Sequence, residues 1–151
     1  MKRKLEYLVI HCTDTPEGRE VTADEIRRWH TSPKPKGRGW KQVGYRGMFH
    51  LDGSQEELVP NNNDGFVDPW EITNGVAGVN DVCEHWVYVG GKGGDTRTDA
   101  QKKAMAEAVI AFHKMRPGVK IVGHHHFNRG KACPSFDVQE WLKSIGINQQ
   151  L

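Results

Sequence analysis

At 151 residues the chain has the length of one ordinary domain, long enough to bury a real core. Hydrophobic residues make up 36% and charged residues 26%, and the formal net charge of +2 is too small to argue for nucleic acid. No segment approaches the roughly 18 apolar residues of a membrane span. The basic start Lys2-Arg3-Lys4 lacks the apolar stretch of a signal peptide, so synthesis in the cytoplasm is expected. The three cysteines, Cys12, Cys83 and Cys133, are an odd number, which argues against a disulfide framework and suits a reducing compartment.

Leu5 to Thr13 is rich in Val, Ile and Tyr and predicts a buried strand. Thr22-Ala23-Asp24-Glu25 has the pattern of a capping box, and Ile26, Trp29 and His30 follow at i, i+3 and i+4, giving a helix with one apolar face. Ser32-Pro33 should end it, and Lys34 to Gly39 reads as a basic loop. Met48 to Leu51 predicts a strand, Asp52-Gly53 a turn, and Glu57 to Val59 the return strand. Asn61 to Gly65 is a polar loop, and Asn61 to Asn80 holds little regular pattern. Trp86 to Val89 is a further strand closed by Gly90-Gly91, and Lys92 to Arg97 a loop. Thr98-Asp99-Ala100-Gln101 is a second capping box. The helix behind it carries Met105, Ala108, Val109 and Phe112 on one face and runs to about Met115, before Pro117-Gly118. Lys120 to His124 is the last strand, and Asp137 caps a short final helix with Val138, Trp141 and Leu142 on one side. This mixture predicts an α/β fold: one central mixed sheet with helices packed on its faces, in a single domain over 1–151.

His11 and His124 both end apolar strands, Tyr7-Leu8-Val9-Ile10-His11 and Lys120-Ile121-Val122-Gly123-His124, and so fall at the sheet margin where α/β active sites gather. Cys133 follows nine residues after His124, close enough for a loop to return it to the strand end. Two imidazoles and one thiolate can hold a zinc ion and leave one position for water, the arrangement of catalytic rather than structural zinc. His125 competes with His124. If the strand continues, His124 and His126 share a face and His125 points the other way. His124 is preferred because Gly123 before it permits close backbone approach. Lys131 should lower the pKa of Cys133. Cys12 should face the core, and Cys83 has no evident partner. Tyr45 after Gly44 reads, on its own, as a core or rim residue.

Taken together, Val9-Ile10-His11-Cys12-Thr13, Glu25 to His30, Gly39-Trp40 through Val43-Gly44-Tyr45, Leu51-Asp52-Gly53, Gly75 to Gly78, Val89-Gly90-Gly91, Thr98 to Met105, Gly123-His124 and Lys131 to Asp137 resemble the zinc-dependent N-acetylmuramoyl-L-alanine amidases of the phage-lysozyme and peptidoglycan-recognition type. The matching pieces run in order along nearly the whole chain. The Lys-Ala-Cys-Pro-Ser-Phe-Asp piece is the most specific and the Asp-Gly turn the least. The resemblance implies zinc on His11, His124 and Cys133, with Tyr45 and Lys131 as catalytic residues acting on the amide between muramic acid and L-alanine. It also implies peptidoglycan as the substrate and an endolysin-like enzyme, expected to be monomeric, that reaches the wall after release. Three departures stand out: Arg46 where the family often has His, His125-His126 where it often has Arg-Asp, and Cys83-Glu84-His85-Trp86 in place of a more apolar run.

Two other readings compete. A binding module of the same fold would recognise peptidoglycan without cutting it; loss of the cysteine ligand marks such members, and Cys133 is present. A cysteine-nucleophile hydrolase would pair Cys133 with His124 and need no metal.

Overall fold

The computed structural model describes residues 2–151. Its strands are β1 (Arg3–Lys4), β2 (Tyr7–Cys12), β3 (Gly47–Phe49), β4 (Gln55–Glu57), β5 (Phe66–Val67), β6 (Cys83–Tyr88) and β7 (Lys120–Gly123). Its helices are α1 (Ala23–Thr31), α2 (Asp99–Met115) and α3 (Val138–Ser144). Five strands form one sheet in the order β4-β3-β6-β2-β7, and β1 pairs with β5 in a small separate ribbon. Within the main sheet β3, β6, β2 and β7 run parallel, and β4 is antiparallel to β3. The expected mixed sheet with helices on both faces is the observed architecture.

The central strand β2 is apolar on both sides because both sides are covered. Leu8, Ile10 and Cys12 join a core with Met105, Val109 and Phe112 of α2 and Val138 and Leu142 of α3. On the other face Met48, Val87 and Val89 pack with Ile26 of α1 and Val43, while Val9 and Val122 pack with Val76 and Val82. Both long helices begin at the expected capping boxes. The Thr22 and Thr98 hydroxyls accept the Glu25 and Gln101 backbone N–H groups, and Glu25 and Gln101 accept the Thr22 and Thr98 N–H groups in return. Asp137 caps α3 through the Glu140 N–H.

Several boundaries differ from expectation. The return strand is Gln55–Glu57 rather than Glu57 to Val59, because the turn closes early: His50 and Ser54 are hydrogen-bonded and Asp52 accepts the Ser54 N–H. β6 begins at Cys83, three residues before the predicted Trp86, because buried Glu84 and His85 interrupt the apolar signal while the ladder continues through them. The region from Asn61 to Asn80, expected to be irregular, contains β5 and the 3₁₀ turn Pro69–Glu71. The last strand stops at Gly123, and His124–His126 form a 3₁₀ turn, so the alternation expected of the three histidines does not apply. On α1, Ile26 and His30 are buried but Trp29 stands at the surface.

Candidate metal centre and substrate groove

β2 and β7 are adjacent and parallel, so their C-terminal ends lie together and bring His11 and His124 to the same margin of the sheet. The ring centroids of the two histidines are 4.9 Å apart. The loop after the histidine turn folds back, and the His125 N–H donates to the Cys133 carbonyl at 3.0 Å. That returns Cys133 to the end of β2, where the Cys12 N–H donates to its Sγ at 3.3 Å and His11 Nδ1 lies 3.7 Å away. One ligand atom from each of His11, His124 and Cys133 falls within 4.8 Å of the other two. His125 is outside this group. Its ring lies against Gly123, where an added Cβ would sit 2.7 Å from His125 Nε2 and 2.8 Å from Pro134 Cδ. Glycine at 123 is therefore required by the close approach of these two side chains.

The electrostatics favour neutral imidazoles, the form that binds metal. Burial and the nearby His85 and His124 hold His11 well below its ordinary value. Burial and then Lys131 lower His124. Lys131, exposed, thus acts on His124, and its expected lowering of the Cys133 pKa is not what the surroundings produce. The neighbouring Cys12 thiol and burial instead push Cys133 well above the usual thiol range. A thiol held protonated by its surroundings becomes a thiolate when a cation takes the proton's place. The His–His–Cys donor set, borderline-soft and tightly convergent, fits zinc.

Tyr45 packs its ring 5.1 Å from that of His11 and 5.2 Å from that of His30. Burial raises its phenol above the usual range, with Cys133 adding to the effect. His30 holds this loop in place: its Nδ1 accepts the Gly44 N–H at 2.9 Å, and burial lowers its pKa to about 4. Two clefts adjoin at the metal-ligand candidates and share His30, Arg38, Tyr45, His124 and Lys131 along their common ridge. One cleft continues past Asn74 to Ala77, and the other past Asp14 and Gly93. Together they form an open groove that crosses the candidate centre, suited to an extended substrate.

Sequence reasoning thus identified five residues that the fold brings to one place: His11, Tyr45, His124, Lys131 and Cys133. It missed His30, Arg38 and His85. For His30 and Arg38 the only available signals were a histidine on the apolar face of α1 and a basic loop. For His85 the signal was present: the Cys83-Glu84-His85-Trp86 run departs from an apolar strand pattern, and a histidine on a fully buried strand calls for a partner.

Comparison with known proteins places the chain in a family. A family model described as N-acetylmuramoyl-L-alanine amidase matches residues 1–136. An endolysin of Enterobacteria phage K11 is 29% identical over 148 residues, covering 95% of this chain and 89% of that protein. An endolysin of Enterobacteria phage T3 is 30% identical over 141 residues, covering 90% of this chain and 84% of that protein. Among solved structures, the Ph2119 endolysin from a Thermus scotoductus bacteriophage superposes with a TM-score of 0.74 at 26% identity, over 95% of this chain and 86% of that one. The chain belongs to the N-acetylmuramoyl-L-alanine amidase family and hydrolyses the amide bond between N-acetylmuramic acid and L-alanine in peptidoglycan.

Proposed function

We propose that this amidase is zinc-dependent, with His11, His124 and Cys133 as the metal ligands and Tyr45 and Lys131 as the catalytic residues. The observation that carries the reading is the convergence of one ligand atom from each of those three side chains within 4.8 Å. When bound, the ion supplies Lewis acidity and a water of lowered pKa, toward roughly 7.

The protein's own groups do the rest. The groove aligns the glycan and stem peptide so that the scissile carbonyl meets the ridge where the two clefts join. Lys131 places positive charge beside the oxygen that becomes negative as the carbonyl is attacked. Tyr45 stays a neutral phenol because burial raises its pKa, and it donates a hydrogen bond to the same tetrahedral centre. Cys133 would hold the ion as a thiolate, and the Cys12 N–H, 3.3 Å from its Sγ, would steady that charge. A cysteine-nucleophile mechanism is disfavoured because burial penalises a free thiolate at Cys133. The enzyme acts on the wall as a monomer after release from the cell that made it. Among the described residues no helix is long and apolar enough to cross a membrane.

Metal content and bond cleavage test the reading together. About one zinc per chain should co-purify, and incubation with purified peptidoglycan should release new L-alanine amino termini. A chelator should stop the release and added zinc restore it. Full activity from metal-free protein would overturn the zinc dependence.

A further inference from the structure

Behind His11 lies a second buried histidine. His85 sits on β6, in register with Val9 and two residues before the partner of His11 on that strand. It is 0% exposed and His11 is 1% exposed, so no solvent reaches the contact between them. His85 Nδ1 is 2.8 Å from His11 Nε2. On its far side His85 Nε2 is 2.9 Å from Asn80 Oδ1, and the Val76 backbone N–H also points at that Oδ1 from 2.8 Å.

The proton positions follow from the one donor whose identity is fixed. A backbone N–H can only donate, so the Asn80 atom facing Val76 must be the amide oxygen. An amide oxygen can only accept, so His85 carries its proton on Nε2. His85 is fully buried and its two ring nitrogens meet only His11 and the Asn80 amide, with no carboxylate to balance a charge, so the ring is neutral; protonated on Nε2, it has a bare Nδ1. That bare nitrogen accepts from His11, whose proton is therefore on Nε2. His11 is left with a lone pair on Nδ1, the nitrogen that lies 3.7 Å from Cys133 Sγ on the ligand side. The other tautomer of His11 would set two lone pairs against each other in a site without water. The backbone is shaped to admit this ring: a Cβ on Gly75 would come within 2.5 Å of His85 Nδ1.

We propose that His85, backed by Asn80, is a positioning residue that fixes His11 in the Nε2-protonated tautomer and aims its Nδ1 at the metal. The inference deepens the zinc reading above and rests on it for the identity of the ion. The chain Val76 N–H, Asn80, His85, His11 sets the direction of every proton from a single backbone amide. Outer partners of this kind commonly govern metal affinity by about 10–100-fold.

Two substitutions separate an acceptor from a mere filler. His85→Asn leaves an oxygen where Nδ1 stood, so it can still accept from His11. His85→Leu fills the space and accepts nothing. Zinc affinity, measured by competition with a chelator, should fall about 10–100-fold in His85→Leu and stay close to wild type in His85→Asn. Long-range proton–nitrogen NMR of metal-free wild type should show His11 protonated on Nε2. That spectrum needs neither zinc nor a variant, so it decides the relay separately from the metal reading and regardless of whether His85→Leu folds. A His11 proton on Nδ1 would overturn the proposal. So would unchanged zinc affinity in His85→Leu, or equal losses in two folded variants, since packing rather than the acceptor would then be responsible.

Discussion

On the face of the sheet that meets α2 and α3, Leu8, Ile10, Ile121 and Tyr88 pack against Met105, Val109 and Leu142. On the opposite face of the same strands, His11 and His85 are equally buried, with His30 close by and His124 at the rim. The first face gains stability from area removed from water, about 1.5–3 kcal/mol for each fully buried large apolar side chain. The second buries groups that each cost about 1–3 kcal/mol if left without a hydrogen-bond partner. His85 and His11 partner each other, and His30 takes the Gly44 N–H. The apolar face therefore tolerates approximate packing, whereas the polar face depends on each partner being present. The chemistry sits where that dependence is strictest.

The sharpest way to break the polar face alone is Cys133→Ser. A serine hydroxyl stays protonated at neutral pH and is a poor zinc ligand. Bound zinc should be lost and peptidoglycan hydrolysis should fall to background. Cys83, buried on the same face but far from the ligand group, should do neither when changed to serine. Equal losses from both substitutions, measured by metal content and amino-terminus release, would mean that Cys133 acts through stability rather than as a ligand.

Smaller in effect are changes that leave the ligands and remove only charge or a hydrogen bond. Lys131→Ala should retain zinc and lower turnover by about 10²–10³, the usual cost of one preorganised oxyanion donor. Tyr45→Phe should also retain zinc, with a smaller loss, because a neutral phenol opposes the oxyanion less than an ammonium does. Zinc loss in Lys131→Ala would reassign that residue to holding the metal ligands, since its charge also acts on His124.

The two faces should also respond differently to acid. His30 has its pKa lowered to about 4 by burial and then by Arg38, against about 6.5 in the unfolded chain. The unfolded state therefore binds the proton first. The stability that His30 contributes is fully present above pH 6.5 and is lost as the pH falls from there toward 4. Protonated Nδ1 would also confront the Gly44 N–H that it now accepts. Denaturation midpoints of metal-free protein should fall across that window. His30→Asn, which keeps an acceptor but cannot titrate, should have a shallower slope. Identical slopes would assign the acid sensitivity to His11, His85 and His124 instead.

The same division explains what could be read from the sequence. The apolar face announces itself by period: the strand through Ile10 and the helix through Met105, Val109 and Phe112 appear with the expected register and caps. Ligand candidates at strand ends were also legible, because His11 and His124 terminate apolar runs and Cys133 sits in a specific motif. For His85 the polar interruption of the strand was visible but its role was not, because such a residue resembles a break in the strand until its partners on β2 and at Asn80 are known. The histidine turn was misjudged for a related reason. Residue spacing cannot reveal that β7 ends at Gly123, where His125 and Pro134, a distant residue, both pack against the glycine. Short-range signals fix caps and faces, while contacts between distant segments decide which polar residues can be buried.

The mildest test concerns the apolar face and should leave chemistry untouched. Thr98 caps α2: its hydroxyl accepts the Gln101 N–H at 3.0 Å and donates to the Leu51 carbonyl at 2.7 Å. Gln101, fully buried, extends the tie by donating to the carbonyls of Phe49 and Val89. The Thr98 hydroxyl and the Gln101 amide together thus join the start of α2 to the ends of β3 and β6. Thr98→Ala removes both hydrogen bonds and should cost about 1–2 kcal/mol, the upper part of the range for a lost N-cap, because the Leu51 carbonyl also loses its donor. Thr98→Ser keeps the oxygen and should recover most of the loss. Both variants should bind zinc and cleave peptidoglycan at the wild-type rate well below their melting temperatures, since α2 lies across the sheet from the groove. A drop in turnover without a drop in stability would show that the two faces are coupled through the end of β6, and that the apolar side helps set the geometry of the site.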